Sequence, residues 1–148
     1  MGRTLRRLLL GSCGLLRWLI WIGALGFLLV EVREVTAQRQ LTQITVFAVL
    51  FLVASFQMST ARYLVASPEA AEAPTVVQSA FAMFAASLFS VLDGGLDQLL
   101  VSLPGGVGAM AAPQLHLLNW AMNLFCVVLG LVSMELFLGA LRRLIARF

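Results

Sequence analysis

The sequence predicts an all-α integral membrane protein, a four-transmembrane-helix bundle with both termini in the cytosol. Three observations lead to this prediction. The 148 residues are 61% hydrophobic and 11% charged, whereas soluble domains carry about 25% charged residues. Four apolar stretches approach the length of about 20 residues that crosses the bilayer core. The arginines are distributed unevenly among the segments outside these stretches.

The four stretches belong to a single predicted membrane domain, residues 1–148. They cover residues 15–32, 44–61, 75–92 and 115–141. The first three are near the lower length limit for a membrane span, and the fourth is long enough to cross at a tilt. The segments outside them hold most of the charges and all four prolines. These segments are therefore the predicted connections and termini.

Arginine placement predicts the orientation. The N-terminal region, the second connection and the C-terminal tail together hold eight arginines, and the first connection holds Arg33 and Arg39. Cytoplasmic loops carry the excess of positive charge, so the N-terminus and the C-terminus are predicted to be cytosolic. Every basic residue is arginine and none is lysine. This bias is typical of a GC-rich genome and favours a bacterial cytoplasmic membrane.

The third connection, residues 93–113, is predicted to contain a possible short interfacial helix. Leu96, Leu99, Leu100 and Leu103 fall on one helical face, which suits a helix lying in the headgroup region. A flexible glycine-rich piece is expected to follow. A loop throughout is the alternative, and contact with a partner instead of lipid also remains open. Within it, the acidic stretch DGGLD, residues 93–97, is interpreted as an exposed turn.

Glu135 is a charged residue inside the apolar fourth stretch. It lies seven residues before Arg142, so it is predicted about 10 Å below the inner interface. Arg17 and Arg62 are expected at the same level, which predicts an intramembrane charge cluster. A charge at this depth is costly unless it is paired. Three interpretations follow: a structural ion pair, a proton- or cation-responsive carboxylate, and a glutamate facing a partner subunit.

The outer half of the fourth stretch carries a polar stripe of His116, Asn119 and Asn123. Amides in lipid favour hydrogen bonds between helices, so we expect this stripe to hold helices together. A haem or metal role for His116 is the alternative, although the pattern offers it no second ligand. The stripe and Glu135 lie on roughly opposite faces. The fourth helix is therefore expected to contact protein on two sides.

Small residues form one row on the second stretch and one on the third. Such rows let helix backbones approach closely in a membrane, so both are interpreted as packing faces. The row on the second stretch is Ser55 and Ser59, continued by Arg62 at the same helical spacing. The row on the third stretch is Ala82, Ala86 and Ser90.

The sequence predicts no enzyme, no cofactor and no metal site. It contains no recognisable serine–histidine–aspartate arrangement, phosphate loop or HExxH zinc motif, and the predicted positions of Cys13 and Cys126 argue against a disulfide. The expected partners are the lipid bilayer and other membrane protein subunits or a second copy, with no nucleic acid. The expected function is a non-catalytic integral membrane subunit or accessory protein of a larger membrane assembly. The alternative is a small homo-oligomeric transporter or channel using Glu135.

Overall fold

The computed structural model describes residues 3–31, 38–102 and 105–147, and these ranges are helical apart from one short connection. The helices are α1 (Arg3–Glu31), α2 (Gln38–Val65), α3 (Ala73–Ser102) and α4 (Gly105–Arg147), with a 3-10 turn at Ala70–Glu72. Four helical stretches, one centred on each α-helix, are long and apolar enough to cross a membrane. These stretches are Arg7–Gly26, Thr45–Val65, Ala70–Leu96 and Leu117–Arg147. The chain is therefore an all-α protein of the integral membrane class.

The third connection differs from its prediction. Helix α3 runs without a break through Asp93 to Ser102, and the glycine-rich segment from Gly105 forms the start of α4. The predictions of an exposed turn, a separate short helix and a flexible piece are therefore wrong. A continuous helix satisfies its own backbone hydrogen bonds, and this outweighs a cost of about 1 kcal/mol for each glycine relative to alanine. The predicted contact of this segment with lipid headgroups or a partner depends on the side chains of residues 97–101 and 103–113. These side chains lie outside the described ones.

The helices pack in the order α2, α3, α4, α1. Helix α3 has extensive contacts with both α2 and α4, whereas α1 packs mainly on α4. A tight turn joins α2 to α3. In it, the Ser67 hydroxyl donates to the carbonyl of Leu64 (2.9 Å) and accepts from the backbone N–H of Glu69 (3.2 Å). Helix α1 is consequently the most peripheral element.

The surface is apolar and much of the interior is polar. Large hydrophobic side chains such as Trp18, Leu52 and Phe81 are more than half exposed, whereas Gln57 and Ser133 are fully buried. Water would favour the reverse arrangement. In lipid, apolar side chains face the solvent and polar side chains pair between helices. The distribution therefore supports a bilayer as the surroundings.

The buried face of α3 repeats every three or four residues. It contains Val76, Ser79, Met83, Ala86, Ser90 and Asp93. Residues at this spacing lie in one stripe along a helix, so α3 packs on its neighbours through a single face. Near the start of α3, Val76 and Ala73 join Ala61 and Leu64 of α2 and Ala140 of α4 in a buried apolar cluster. Small residues there allow the three backbones to approach.

The packing face of α3 contains two residues of its predicted row, with Ala82 only half-buried, and the packing face of α2 differs from its predicted row. Ala86 and Ser90 of α3 are buried. Ser55, Ser59 and Arg62 of α2 are exposed. The buried face of α2 consists instead of Ala54, Gln57, Ala61 and Leu64. Both faces of α2 carry small residues, so residue size alone did not distinguish them.

Candidate functional site: polar contacts between the helices

Glu135 joins α4 to α1. Its Oε1 accepts hydrogen bonds from Arg17 Nε at 2.5 Å and from Trp21 Nε1 at 2.9 Å. Arg17 and Trp21 lie four residues apart, so both side chains project from one face of α1. About a third of the Glu135 side chain and half of the Arg17 side chain remain exposed. Charge-assisted bonds of this kind are stronger than neutral ones, and they fix α1 against α4.

The third member of the predicted charge cluster lies elsewhere. Arg62 is exposed on α2, whereas the ion pair of Glu135 within the described residues is with Arg17. Helix α1 packs mainly on α4, and α2 packs mainly on α3. The sequence predicts a shared level in the membrane for these residues, but it does not predict the order of the helices around α4.

Within the polar stripe of α4, Asn123 faces α3. Asn123 Nδ2 donates to Asp93 Oδ1 at 3.1 Å, and both side chains are buried. Asn119 is buried one turn away, and the side chain of His116 lies outside the described ones. Glu135 faces α1. Helix α4 thus contacts protein on two sides, as its two polar faces predict.

A second buried junction joins three helices in the middle of the bundle. Gln57 of α2 lies 3.2 Å from the hydroxyl of Ser133 of α4. That hydroxyl donates to the backbone carbonyl of Ser79 on α3 at 2.7 Å. No pattern in the sequence predicts this junction. The available signal was Gln57 itself, a long amide side chain in the middle of an apolar stretch.

The third contact is an ion-pair cluster at the end of the bundle where the arginines of α4 lie. Glu72 is 4% exposed. Its two carboxylate oxygens accept from Arg143 Nε at 2.8 Å and Arg147 Nη2 at 3.1 Å. Glu72 lies at the N-terminal end of α3 and the arginines lie in the last turns of α4, so both helix dipoles favour these charges. The sequence placed Glu72 in a turn without assigning it a partner.

The described polar side chains form no cluster that could serve as a metal centre. Within residues 3–31, 38–102 and 105–147, no three His, Cys, Asp or Glu side chains come together as possible metal ligands. Cys13 and Cys126 are buried free thiols. The arrangement is suited to holding helices in register.

The chain matches no protein-family model, no curated protein and no solved structure. The function must therefore be inferred from its own contacts.

The pair of Glu135 and Arg17 gives a testable prediction. Glu135→Gln and Arg17→Gln are each expected to lower the free energy of unfolding in mixed micelles by about 1–2 kcal/mol, because each leaves one charge without its partner. The double substitution should recover about 1 kcal/mol of the summed loss. These values are smaller than for a fully buried pair because half of the Arg17 side chain is exposed.

The matched control is Arg62→Gln, alone and with Glu135→Gln. Arg62 is exposed on another helix, so the two effects should add. A coupling of Glu135 to Arg62 as large as that to Arg17 would contradict the structural interpretation. A transport carboxylate would give a different result, in which Glu135→Gln leaves unfolding unchanged and abolishes a proton- or cation-dependent flux in vesicles.

Proposed function

We propose that the chain is a non-catalytic integral subunit or accessory protein of a larger membrane assembly. The observation that carries the proposal is the outward face of α2. Ser55 and Ser59 are four residues apart and both are exposed. A pair of small residues at this spacing is a typical contact face for another transmembrane helix. Because this chain uses the other side of α2 for its own packing, the outward face is open to a partner.

Arg62 strengthens this interpretation. It lies three residues after Ser59 on α2 and is exposed. Near the end of a span, an arginine can reach the headgroups or pair with an acidic residue of a neighbouring helix. The small residues would allow close approach, and the guanidinium would select the partner. We therefore place the partner contact on the face formed by Ser55, Ser59 and Arg62.

The use of the acidic residues also supports an architectural role. Glu135 binds Arg17 and Trp21, Glu72 binds Arg143 and Arg147, and Asp93 binds Asn123. Each of these contacts joins two helices of this chain. Such carboxylates stabilise a fixed arrangement of helices. This pattern favours a scaffold over a transporter in which a carboxylate must bind and release its cargo.

Ser55→Leu provides the test. The larger side chain would prevent close approach on the outward face, so the partner should be lost when the chain is purified from native membranes in mild detergent. Folding should be retained, because Ser55 is exposed. Mass spectrometry of the purified complex and the thermal unfolding temperature of the chain provide the two measurements.

Ser12→Leu is the matched control. Ser12 is exposed on α1, and its hydroxyl donates to the carbonyl four residues earlier at 2.9 Å, as that of Ser55 does. The two substitutions therefore remove the same local bond and add the same volume. Equal partner recovery from Ser55→Leu and Ser12→Leu would refute this contact face. Purification of the unsubstituted chain as a lone monomer would refute the assembly.

We further propose a bacterial cytoplasmic membrane with both termini in the cytosol. Two contacts support a single arginine-rich end. Glu72 in the second connection binds Arg143 and Arg147 of the tail. At the α1–α4 contact, Arg142 Nη2 lies 3.4 Å from the position that a Cβ atom on Gly14 would occupy. Under the positive-inside rule, the end of the bundle that contains these arginines is the cytosolic end.

Single-cysteine labelling in intact cells is the measurement for the orientation. In a chain lacking Cys13 and Cys126, a membrane-impermeant maleimide should label Gly106→Cys and spare Glu69→Cys. Permeabilised cells should label both, which controls for accessibility. Labelling of Glu69→Cys alone in intact cells would reverse the orientation.

A further inference from the structure

An apolar groove opens between α1 and α2. Its walls include Ile20 and Ala24 of α1 and Val46 and Leu50 of α2, and Met83 and Cys126 also line it. Gly130 of α4 adds to the space, since no atom lies within 4 Å of where its Cβ would be. The groove has a volume of about 210 Å³. An apolar cavity of about 150 Å³ holds a benzene-sized hydrocarbon, whereas drug-sized ligands need about 300–1,000 Å³.

One end of the groove meets the charged contact of α1 with α4. A narrower crevice lined by Arg17 and Glu135 shares Ile20, Leu131 and Met134 with the groove. The segment of α4 from Cys126 to Met134 rises about 12 Å. A ligand in the groove would therefore have an apolar part along α4 and reach the guanidinium of Arg17 at its end.

Two arginines lie at that end. The Nε–H of Arg17 donates to Glu135, and a guanidinium has five N–H donors in all. About half of the Arg17 side chain is exposed. Arg142 lies beside Gly14, which is three residues before Arg17. A Cβ atom built on Gly14 would lie 3.4 Å from Nη2 of Arg142. The second guanidinium therefore lies against α1, three residues from Arg17 along that helix.

We propose that the groove binds one acyl chain of an anionic phospholipid whose phosphate is bound by Arg17 and Arg142. The volume suits part of a hydrocarbon chain, the part that lies along α4, and the lining is apolar. Arg17, Arg142 and the carboxylate of Glu135 together leave a net positive charge at this end, which is complementary to phosphate, and guanidinium groups supply the planar donors that phosphate recognition favours. Basic pockets between transmembrane helices on the cytoplasmic side are typical sites for anionic headgroups. The placement on that side rests on the orientation proposed above, whereas binding itself does not.

The experiment measures lipid retention by the purified chain. The protein in detergent is incubated with equal amounts of palmitoyl-oleoyl phosphatidylglycerol and phosphatidylcholine, and native mass spectrometry counts the lipids that stay bound. One phosphatidylglycerol should be retained in preference to phosphatidylcholine. Arg142→Gln should lower its retention about fivefold, the effect of one arginine near an anionic group. Gly130→Leu should abolish retention by filling the groove.

Gly95→Leu is the matched control, because Gly95 is exposed on α3 and also has no atom within 4 Å of an added Cβ. It should retain the lipid. If Gly130→Leu does not yield monodisperse protein, Ala24→Leu fills the groove from the α1 wall and should have the same effect. Equal retention of both lipids by the unsubstituted chain would overturn the headgroup assignment. Retention by a folded Gly130→Leu or Ala24→Leu chain, or displacement by inorganic phosphate, would overturn the acyl-chain assignment.

Discussion

Ala140→Leu is expected to lower the free energy of unfolding by about 3 kcal/mol, at the upper end of the cost of overpacking a core. Ala140 is fully buried on α4 and belongs to the cluster that includes Ala61 of α2 and Val76 of α3. A leucine there must displace two helix backbones at once. Detergent-induced unfolding in mixed micelles, followed by circular dichroism, measures the change.

Ala48→Leu is the matched control for this prediction, because Ala48 is exposed on α2. The same added volume should change stability by less than about 0.5 kcal/mol there, as for most surface substitutions. If Ala140→Leu and Ala48→Leu have equal effects, then α2, α3 and α4 do not pack as described.

Glu72→Gln is expected to cost about 2 kcal/mol. The substitution preserves the size of the side chain but removes the charge that binds both Arg143 and Arg147. Two charge-assisted hydrogen bonds would each be worth about 1.5–3 kcal/mol if fully buried. The expected loss is smaller than the sum of these two values because both arginine side chains are about half exposed and can be solvated by water instead. The same unfolding measurement applies.

Glu69→Gln provides the control, because it neutralises an acid in the same turn, and within the described residues the ion pairs of this turn are made by Glu72. The difference between the two variants should shrink in high salt, which screens charges near the surface. A loss for Glu69→Gln as large as for Glu72→Gln would show that the net charge of the turn matters and the buried pairing does not.

The sequence was sufficient to predict four membrane-crossing helices because hydrophobic length is a local property. It was not sufficient for the buried face of α2. A helix that is apolar on all sides carries no amphipathic signal, and Ser55 and Gln57 differ in burial only because of how α3 and α4 are placed. Asp93 was misinterpreted for a related reason. Its neighbouring glycines are typical of a turn, yet Asn123 of another helix supplies a buried partner.

The partners of the charged residues also could not be predicted, because they depend on how the helices are placed relative to one another. The depth of Glu135 could be estimated by counting residues to Arg142, and this placed Arg17 and Arg62 at a matching level. Choosing between them required the order of the helices, which contacts distant in sequence determine. Glu72 was not recognised because an acid between alanines in a short connection is usually solvated, and its burial depends on the last turns of α4.

The contact of Arg17 with Glu135 has a consequence for biosynthesis. The two residues are separated by 118 positions. At about 5–20 residues per second, the ribosome needs roughly 6–24 seconds to make the chain between them. Because α1 packs mainly on α4, it would wait in the bilayer without its docking surface throughout that time. Its own basic residues must then hold it in orientation, which gives a reason why four of the ten arginines fall within the first 17 residues.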